Sequence, residues 1–466
     1  QGPASFDRQG SRCRNTLQRE VAGFGMMDKS VFWRVVFLAL VLVVSGCAAG
    51  YNKFNETLGG YVRQKDCFSV ASHIGESEKS SIPGSNERLL FFLDAGMAEM
   101  LCGRYEESNR HFREAERIAE ELWTRSITRE VGSIVLNDYM LPYGGEDFER
   151  ALINLFSAIN YFMLGKTEDA LVEIRRLDTL LTGLNNKYDA KSVYKEDAFA
   201  RYLSGLIYES SGQADDAFID YHKAVRVYGD YGKHYGTRLP ASLKEDFARL
   251  AEASGRAEEV RQYLNDFGKI KPLKQKDAKK LGRAVFIHFN GEAPRKVEDA
   301  VFLPTEAGPI AMAFPRYVSR EAQCGGAEIV FESGASRLSA NAELAEDIDA
   351  IAIKNLDDRK ARVVAKELLR VAAKQVIIHQ AAQSMDGSRN EQLAVKRLLN
   401  VIGSVVERAD TRSWTSLPSE IYLSRTYLQE GTYKVSIKRC YAAETLYDSF
   451  TIKQGETKFI IYGSMQ

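Results

Sequence analysis

The pattern of apolar and polar positions changes once along this chain, close to residue 280. Before that point apolar residues recur every three or four positions, the spacing of one face of an α-helix. After it, short runs of β-branched and aromatic residues alternate with polar ones, which is typical of half-buried strands. The pattern predicts an α+β multidomain protein, with a helical part followed by a β-rich part.

The clearest helical unit covers residues 198–231, where small and aromatic residues occupy the positions of a tetratricopeptide (TPR) repeat of about 34 residues. These residues are Tyr202, Gly205, Tyr208, Gly212, Ala217, Tyr221 and Ala224. Residues 89–122 and 151–184 fit the same spacing, and residues 241–268 form a weaker fourth pair. The glycines expected to turn the pairs are unevenly spaced: Gly103, Gly165, Gly212 and Gly255. We therefore predict an irregular TPR-like α-helical solenoid over residues 85–268, a fold that commonly binds other proteins.

The β-rich part is predicted to follow a lysine-rich linker at residues 269–280. Strands are predicted at residues 284–289, 300–303, 310–315, 327–331, 421–425, 432–439, 446–452 and 458–462. Between them, apolar residues recur at helical spacing over residues 341–384 and 393–406. We interpret residues 281–466 as a β-sandwich-like domain with a helical insertion at about 341–408.

The repeat spacing also predicts which side chains face the concave groove of the solenoid. Eleven of these twelve side chains are apolar or aromatic, and Glu209 is the exception. They are Leu90, Leu93, Met97, Met100, Leu152, Leu155, Ile159, Phe162, Phe199, Tyr202, Leu206 and Glu209. The candidates for groove packing or partner binding are Met97, Ile159, Phe162, Tyr202 and Leu206. An apolar groove left in water would be a large exposed patch that requires a cover. The cover is either this chain, through its N-terminal helices or the 341–406 insertion, or a partner helix; we favour the chain itself.

The beginning of the chain has the pattern of an export signal. Residues 26–46 combine a short basic start with an apolar run and then small residues, a pattern too short for a comfortable membrane span. The run ends in Val44-Ser45-Gly46-Cys47, which resembles a bacterial lipobox and implies lipidation of Cys47. The alternative is an ordinary signal peptide with a chance cysteine. Residues 1–25 are then upstream of the native start, and residues 47–84 lead from the anchor into the first helices.

Composition agrees with an exported body. Lys plus Arg and Asp plus Glu both total 63, so no basic excess points to nucleic acid. Without Cys13 and Cys47 four cysteines remain, an even number that permits disulfides in an oxidising compartment. They are Cys67, Cys102, Cys324 and Cys440. Pairing of Cys67 with Cys102, pairing of Cys324 with Cys440, and buried free thiols all stay open at this point.

Recognisable catalytic, metal-binding and nucleotide-binding motifs are missing from the sequence, so we expect neither an enzyme nor a cofactor. His288 could point from a strand beside Glu292, where a lone histidine is usually structural. The most distinctive cluster of polar and aromatic residues is Asp410, Arg412 and Trp414. Asp close to Arg can form a clasp of paired hydrogen bonds, and Trp can fill the contact between two domains. We favour this structural interpretation over contact with a ligand.

Several fragments resemble a poorly characterised family of bacterial TPR-containing lipoproteins. They are Phe148-Glu149-Arg150, Glu173-Ile174-Arg175-Arg176, Phe199-Ala200-Arg201-Tyr202, Asp216-Ala217-Phe218, Phe314-Pro315-Arg316-Tyr317, Glu346-Asp347, Asp410-Thr411-Arg412-Ser413-Trp414 and Leu417-Pro418. Members are often encoded near lipoproteins similar to activators of peptidoglycan synthases. The resemblance implies a lipid-anchored, periplasm-facing scaffold that binds protein partners in the cell envelope. Ala48 and Ala49 after the lipidated cysteine imply the outer membrane by the sorting rule of enterobacteria. The rival functions are a peptidoglycan- or carbohydrate-binding module and an enzyme with a site between the two halves.

Overall fold

The computed structural model of this chain describes residues 48–129, 138–187, 194, 196–320, 322, 324–384, 388–440 and 442–465. By the clustering of its Cα atoms the chain divides into the units Gln1–Lys53 and Phe54–Gln466. The predicted signal peptide and Cys47 lie outside the described residues.

Helices form the first part of the described chain, and their order follows the predicted pairs. They are α1 (Ala48–Arg63), α2 (Cys67–Ser77), α3 (Arg88–Leu101), α4 (Tyr105–Arg129), α5 (Asp147–Met163), α6 (Thr167–Lys187), α7 (Ala198–Ser210), α8 (Ala214–His234), α9 (Ala241–Ala253), α10 (Arg261–Asp266) and α11 (Gln275–Ala278). Single 3₁₀ turns stand at Ile82–Gly84 and Asp138–Met140. The predicted linker is thus partly structured, since α11 lies within it.

Four helix pairs share one turn geometry. Two residues after the end of each first helix stands a glycine with a left-handed φ of 71° to 79°: Gly103, Gly165, Gly212 and Gly255. In each pair the N–H after the glycine donates to the carbonyl five residues earlier at 2.9 Å, which closes a Schellman-type cap. The donor and acceptor pairs are Arg104 and Glu99, Lys166 and Tyr161, Gln213 and Tyr208, and Arg256 and Ala251. The uneven spacing of these glycines therefore reflects the lengths of the connections, while the turn itself repeats.

A small residue stands seven positions before each turn glycine, where the two helices of a pair meet. A Cβ atom on Gly96 would overlap the ring of Phe112, and one on Gly205 would overlap the ring of Tyr221. In the middle pair Ala158 takes this position and is fully buried. The pairs α3–α4, α5–α6 and α7–α8 are therefore repeats of the TPR type, and α9–α10 is a shortened fourth pair.

The close contact at Gly205 predicts a destabilised Gly205→Ala variant. The added methyl group must displace the buried ring of Tyr221, so we expect the free energy of unfolding to fall by about 1–3 kcal/mol. Gly229 is a matched control, because it is an exposed helical glycine with open space where its Cβ would stand. Gly229→Ala should stabilise by up to about 1 kcal/mol. Urea unfolding of both variants checks this, and equal effects would contradict the repeat register.

Strands and two long helices form the second part. The strands are β1 (Gly282–Asn290), β2 (Arg295–Leu303), β3 (Ile310–Val318), β4 (Glu328–Ser333), β5 (Ser336–Asn341), β6 (Glu343–Asp347), β7 (Glu420–Leu428), β8 (Gly431–Arg439), β9 (Ala442–Ile452) and β10 (Thr457–Ser464). The helices α12 (Ile348–Gln383) and α13 (Arg389–Val406) separate β6 from β7. One sheet has the order β10-β1-β7-β6, another the order β5-β4-β8-β9, and β2 pairs with β3. The β1–β10 pair is parallel, and the other pairs are antiparallel.

The two four-stranded sheets share one apolar core. Phe286 and Ile460 of the first sheet pack with Ile329, Val435 and Ile452 of the second. These residues alternate along their strands with residues on the opposite face, as the pleat requires. The apolar cluster therefore joins the faces of both sheets.

The helical insertion begins later than predicted. Helix α12 starts at Ile348 and not at residue 341, because residues 336–341 and 343–347 are the strands β5 and β6. The start is fixed by Asp347, whose side chain accepts a hydrogen bond from the Ala350 N–H at 2.8 Å. The prediction failed here because the apolar residues of β6 also fit the helical spacing that follows.

Candidate functional site

The concave face of the repeats is covered by the sheet β10-β1-β7-β6. The ring of Phe156 on α5 meets the ring of Phe289 on β1 edge-on, with 5.6 Å between centroids. Six residues further along α5, the ring of Phe162 lies 4.2 Å from that of Phe459 on β10. The predicted groove is therefore an internal contact between the helical repeats and the sheet; we call this contact the seam.

The predicted groove residues are consequently interior. Four of them have no exposed surface: Met97, Ile159, Tyr202 and Leu206. Phe162 is half-buried. Of the two segments that we proposed as the filler, the 341–406 segment takes part through its strand β6, and the strands β1, β7 and β10 of the same sheet were not anticipated. No partner can reach the four buried side chains without opening the seam.

The one charged residue of the predicted groove, Glu209, meets two arginines at the seam. Arg249 on α9 donates to both carboxylate oxygens, at 2.6 and 2.9 Å. Arg283 on β1 lies 2.5 Å away, and the Tyr221 hydroxyl donates at 2.9 Å. Burial alone raises the pKa of Glu209, but the charges of Arg283 and Arg249 outweigh it and lower that pKa to about 2. The third repeat is thus joined to the sheet by an ion-pair network, in contrast to the aromatic contacts of α5.

A second carboxylate extends the same network. Asp246 on α9 has no exposed surface and pairs with Arg249 at 2.9 Å and with Arg425 on β7 at 3.2 Å. It also accepts a hydrogen bond from the Tyr202 hydroxyl at 3.0 Å. Each buried charge in this region therefore has an opposite charge in contact, which buried ions require.

The predicted clasp forms in the segment between α13 and β7. Arg412 donates to both oxygens of Asp410, at 2.9 and 2.7 Å. It also donates to the carbonyl of Asp138 at 3.1 Å and lies 5.4 Å from the ring centroids of Tyr139 and Tyr143. Arg412 thereby links this segment to the connection between α4 and α5.

Trp414 lies deep in the seam. Only 1% of its surface is exposed, and its ring lies 5.9 Å from those of Phe112 and Phe156. Its backbone N–H donates to Glu149 at 2.7 Å, and its indole N–H donates to Ser416 at 2.9 Å. The indole is therefore packed and hydrogen-bonded within the protein, where a ligand has no access.

A charged cluster at the start of α5 was missed by sequence reasoning. The side chain of Glu146 pairs with Lys296 on β2 and with Arg359 on α12. Burial alone raises the pKa of Glu146, but Arg359 and Lys296 hold it well below its ordinary value. Glu149, which is also buried, has a raised pKa because of burial and the nearby charge of Glu146. The only local signal was a capping box between the two glutamates, because both cations lie far away in sequence.

His288 contacts residues of the neighbouring strands, whereas Glu292 pairs with Arg63 and Arg320. The Nε2 of His288 lies 2.7 Å from the Ser464 hydroxyl, and its ring is near those of Tyr422 and Tyr462. Burial, with a smaller effect of Arg439, lowers the pKa of His288 to about 3. A histidine that stays neutral at pH 7 cannot exchange protons readily there, so its position favours a structural role.

Both cysteine pairs that the sequence left open are disulfides in this structure. Cys67 pairs with Cys102 across Cα atoms 5.5 Å apart, and Cys324 pairs with Cys440 across 6.0 Å. Cys67, Cys102 and Cys440 line the same cleft, which has a volume of about 770 Å³. Within the described residues, no group of His, Cys, Asp and Glu could hold a metal ion. No helix in the described part of the chain has the length and apolar character that crossing a membrane requires.

In the middle of helix α12, apolar side chains are exposed and charged side chains are buried. Its exposed side chains include Leu368, Leu369, Val376 and Ile377, each at least half exposed. Its buried side chains include Glu367 and Arg370, and Arg370 lies 3.3 Å from Asp138 and 3.5 Å from Glu407. Leu368 belongs to the apolar stripe that predicted the helix, yet it faces outward. The middle of the helix thus packs a charged face onto the protein, whereas its first turns bury Ile348, Ile351 and Ala352.

A second exposed apolar surface is formed by α13 and β2. On α13 it contains Ala394, Leu398, Val401 and Val405, and on β2 it contains Val301, Phe302 and Leu303. Arg397 and Ser404 of α13 donate to the carbonyls of Glu306 and Pro309 in the loop between β2 and β3, each at 3.0 Å. We call these seven residues the α13–β2 surface.

Comparison with known proteins finds similarity in solved structures alone. No protein-family model and no curated protein sequence matches this chain. A crystal structure of MamA matches with 17% identity and a TM-score of 0.28, and covers 45% of this chain and 91% of MamA. A putative kinesin light chain from Podosopora anserina, with nearly identical TPR-like repeats, matches with 13% identity and a TM-score of 0.26. That match covers 46% of this chain and 92% of the other. At such low TM-scores, the TPR-type assignment rests on the turns and glycine contacts described above.

Proposed function

We propose that this chain is a lipid-anchored, periplasm-facing scaffold that binds protein partners in the assembly or regulation of the cell envelope. The observation that carries the proposal is the α13–β2 surface, on which Leu398 is 61% and Val405 70% exposed. Large apolar side chains that recur on the exposed face of one helix, as on α13, are uncommon on proteins without a partner. The partner surface is thus on the C-terminal half, and the concave face of the repeats has a structural role.

The arrangement of the two halves supports this division of roles. We regard the two four-stranded sheets as a β-sandwich-like domain that closes the solenoid and carries the helices α12 and α13. The seam contains paired charges and aromatic rings, such as Glu209 with Arg283 and Phe162 with Phe459. A rigid seam would hold the α13–β2 surface in a fixed orientation for binding.

Photo-crosslinking in living cells tests the partner surface. A photo-reactive amino acid at Leu398 should give covalent adducts with other envelope proteins, which mass spectrometry identifies. Lys233 on α8 is the matched control, because its side chain is 73% exposed on a polar part of the repeats. Absence of adducts at Leu398, or the same adducts from both positions, would contradict the proposal.

The lipid anchor is tested independently at Cys47. The tetrapeptide Val44-Ser45-Gly46-Cys47 after a short apolar run supports lipidation, and Ala48 and Ala49 support outer-membrane sorting. Cells fed a fatty-acid probe should label the wild-type protein, and Cys47→Ser should remove the label completely. Fractionation of the membranes should place the labelled protein with the outer membrane. Equal labelling of both forms would rule out this anchor.

A further inference from the structure

Helix α12 presents a continuous apolar stripe to solvent. Between residues 365 and 377 every exposed residue is apolar, and we call this set the α12 stripe: Ala365, Leu368, Leu369, Ala372, Val376 and Ile377. Leu369 and Val376 are 60% and 56% exposed. A single exposed leucine is ordinary on a protein surface, but a stripe without polar interruption along three turns is not.

The orientation of α12 is held by ion pairs on its other face. Lys366 lies 2.6 Å and Arg370 3.3 Å from Asp138, and Lys374 pairs with Glu407. Rotating the helix to bury the α12 stripe would separate these ion pairs. Charges left buried without a partner have a large cost in free energy. The stripe is therefore a fixed outward surface.

The spacing within the stripe indicates a helix as its partner. Ala365, Leu369, Ala372 and Val376 follow one another at intervals of four, three and four, the spacing of a coiled-coil seam. Every second one of these positions is alanine, which allows another helix to approach closely. A membrane surface would require apolar area but not this spacing.

We propose that α12 pairs in antiparallel orientation with α12 of a second copy of this chain. A two-fold axis between Arg370 and Val371 places Leu369 of one copy opposite Ala372 of the other. The same axis places Ala365 opposite Val376. Each layer then combines one small and one large side chain, and the stripe has no exposed charge that would face a like charge. This self-complementarity is what a two-fold symmetric contact requires.

The size of the contact sets the expected affinity. Thirteen residues of helix extend over roughly 20 Å, and two such stripes bury less than the about 800 Å² per partner of a standard interface. We expect a dissociation constant in the micromolar range. If the chain is anchored to a membrane, the higher local concentration would favour the dimer.

Analytical ultracentrifugation of the full chain with Cys13→Ser and Cys47→Ser tests this proposal. Over about 1 to 200 μM, which brackets a micromolar dissociation constant, the protein should change from monomer to dimer. Leu369→Glu should weaken dimerisation by roughly a hundredfold or more, because each dimer loses two buried leucines. Leucine and glutamate have similar helix propensities, so the helix should persist, and an unchanged melting temperature at the lowest concentration verifies the fold.

Leu398→Glu is the matched control, since Leu398 is equally exposed but lies on the α13–β2 surface. It should leave the dimer intact, while Leu369→Glu should leave the adducts formed from the photo-reactive amino acid at position 398 unchanged, so that this proposal and the proposed function can fail separately. The double variant Leu369→Cys/Ala372→Cys should form a covalent dimer on mild oxidation. A protein that stays monomeric at the highest concentration, or a dimer that Leu369→Glu leaves unchanged, would overturn the proposal.

Discussion

Replacing Trp414 by alanine is expected to lower the free energy of unfolding by about 3–5 kcal/mol, which would be a large share of the stability of a typical domain. The indole is 1% exposed and packs edge-on against Phe112 and Phe156. Its removal leaves a cavity in the seam and also loses the aromatic contacts, each worth about 0.5–1.5 kcal/mol beyond burial. Thermal and urea unfolding of the purified protein measure the effect.

Phe68→Ala is the control for the tryptophan variant. Phe68 is also aromatic, but 84% of its surface is exposed, so its removal should change stability by less than about 0.5 kcal/mol. If Trp414→Ala were as mild as Phe68→Ala, the indole would not be a packed part of the seam. A ligand-contact role for the cluster of Asp410, Arg412 and Trp414 would then regain support.

Glu209→Gln should be similarly damaging, through charge instead of volume. The substitution leaves Arg283 without its carboxylate and Arg249 with Asp246 as its remaining carboxylate partner, and both arginines are buried. Removing one member of a buried ion pair commonly costs about 3–5 kcal/mol. Glu245→Gln is the control, because Glu245 also pairs with an arginine, Arg425, but its side chain is 41% exposed. We expect the control to cost less than about 1 kcal/mol.

The effect of Glu209→Gln should depend on pH in one direction. The pKa of Glu209 is lowered to about 2 in the folded protein, from an ordinary value of about 4.3 in the unfolded chain. Its ionised form therefore stabilises the fold above pH 4.3, and this contribution is lost as the pH falls towards 2. The difference in unfolding free energy between wild type and variant should shrink between pH 5 and pH 3. A difference that stays constant over this range would show that the charge of Glu209 is not the cause of the stability effect.

Local patterns predicted the helical repeats, because their determinants lie close together in sequence. The turn at Gly212 and the contact of Gly205 with Tyr221 both arise within one 34-residue unit. The groove residues could likewise be identified from their spacing. The residues that cover them could not be identified, because Phe289 and Phe459 lie in a different half of the chain. Nothing in the pattern around these two residues indicates which residues they contact. Glu209 was a signal that we did not use, since a lone carboxylate in an apolar groove implies an opposite charge.

The predictions that failed share a physical reason. A stripe of apolar residues predicts a helix equally well whether it faces the core or the solvent, so the outward position of Leu368 could not be inferred. The buried pairing of Glu146 with Lys296 and Arg359 depends on contacts between residues far apart in sequence. By contrast, the spacing of Asp410 and Arg412 is local, and it favoured a paired clasp before the fold was known.

Cysteine labelling tests most directly the central claim, that this chain closes its own concave groove. In the full chain with Cys13→Ser and Cys47→Ser, single cysteines would replace either Leu206, which has no exposed surface, or Leu398, which is 61% exposed. A bulky maleimide should modify Leu398→Cys within minutes, and should modify Leu206→Cys only after denaturation in urea. If native Leu206→Cys reacted as fast as Leu398→Cys, the groove would be open, and the repeats would be available to bind a partner helix.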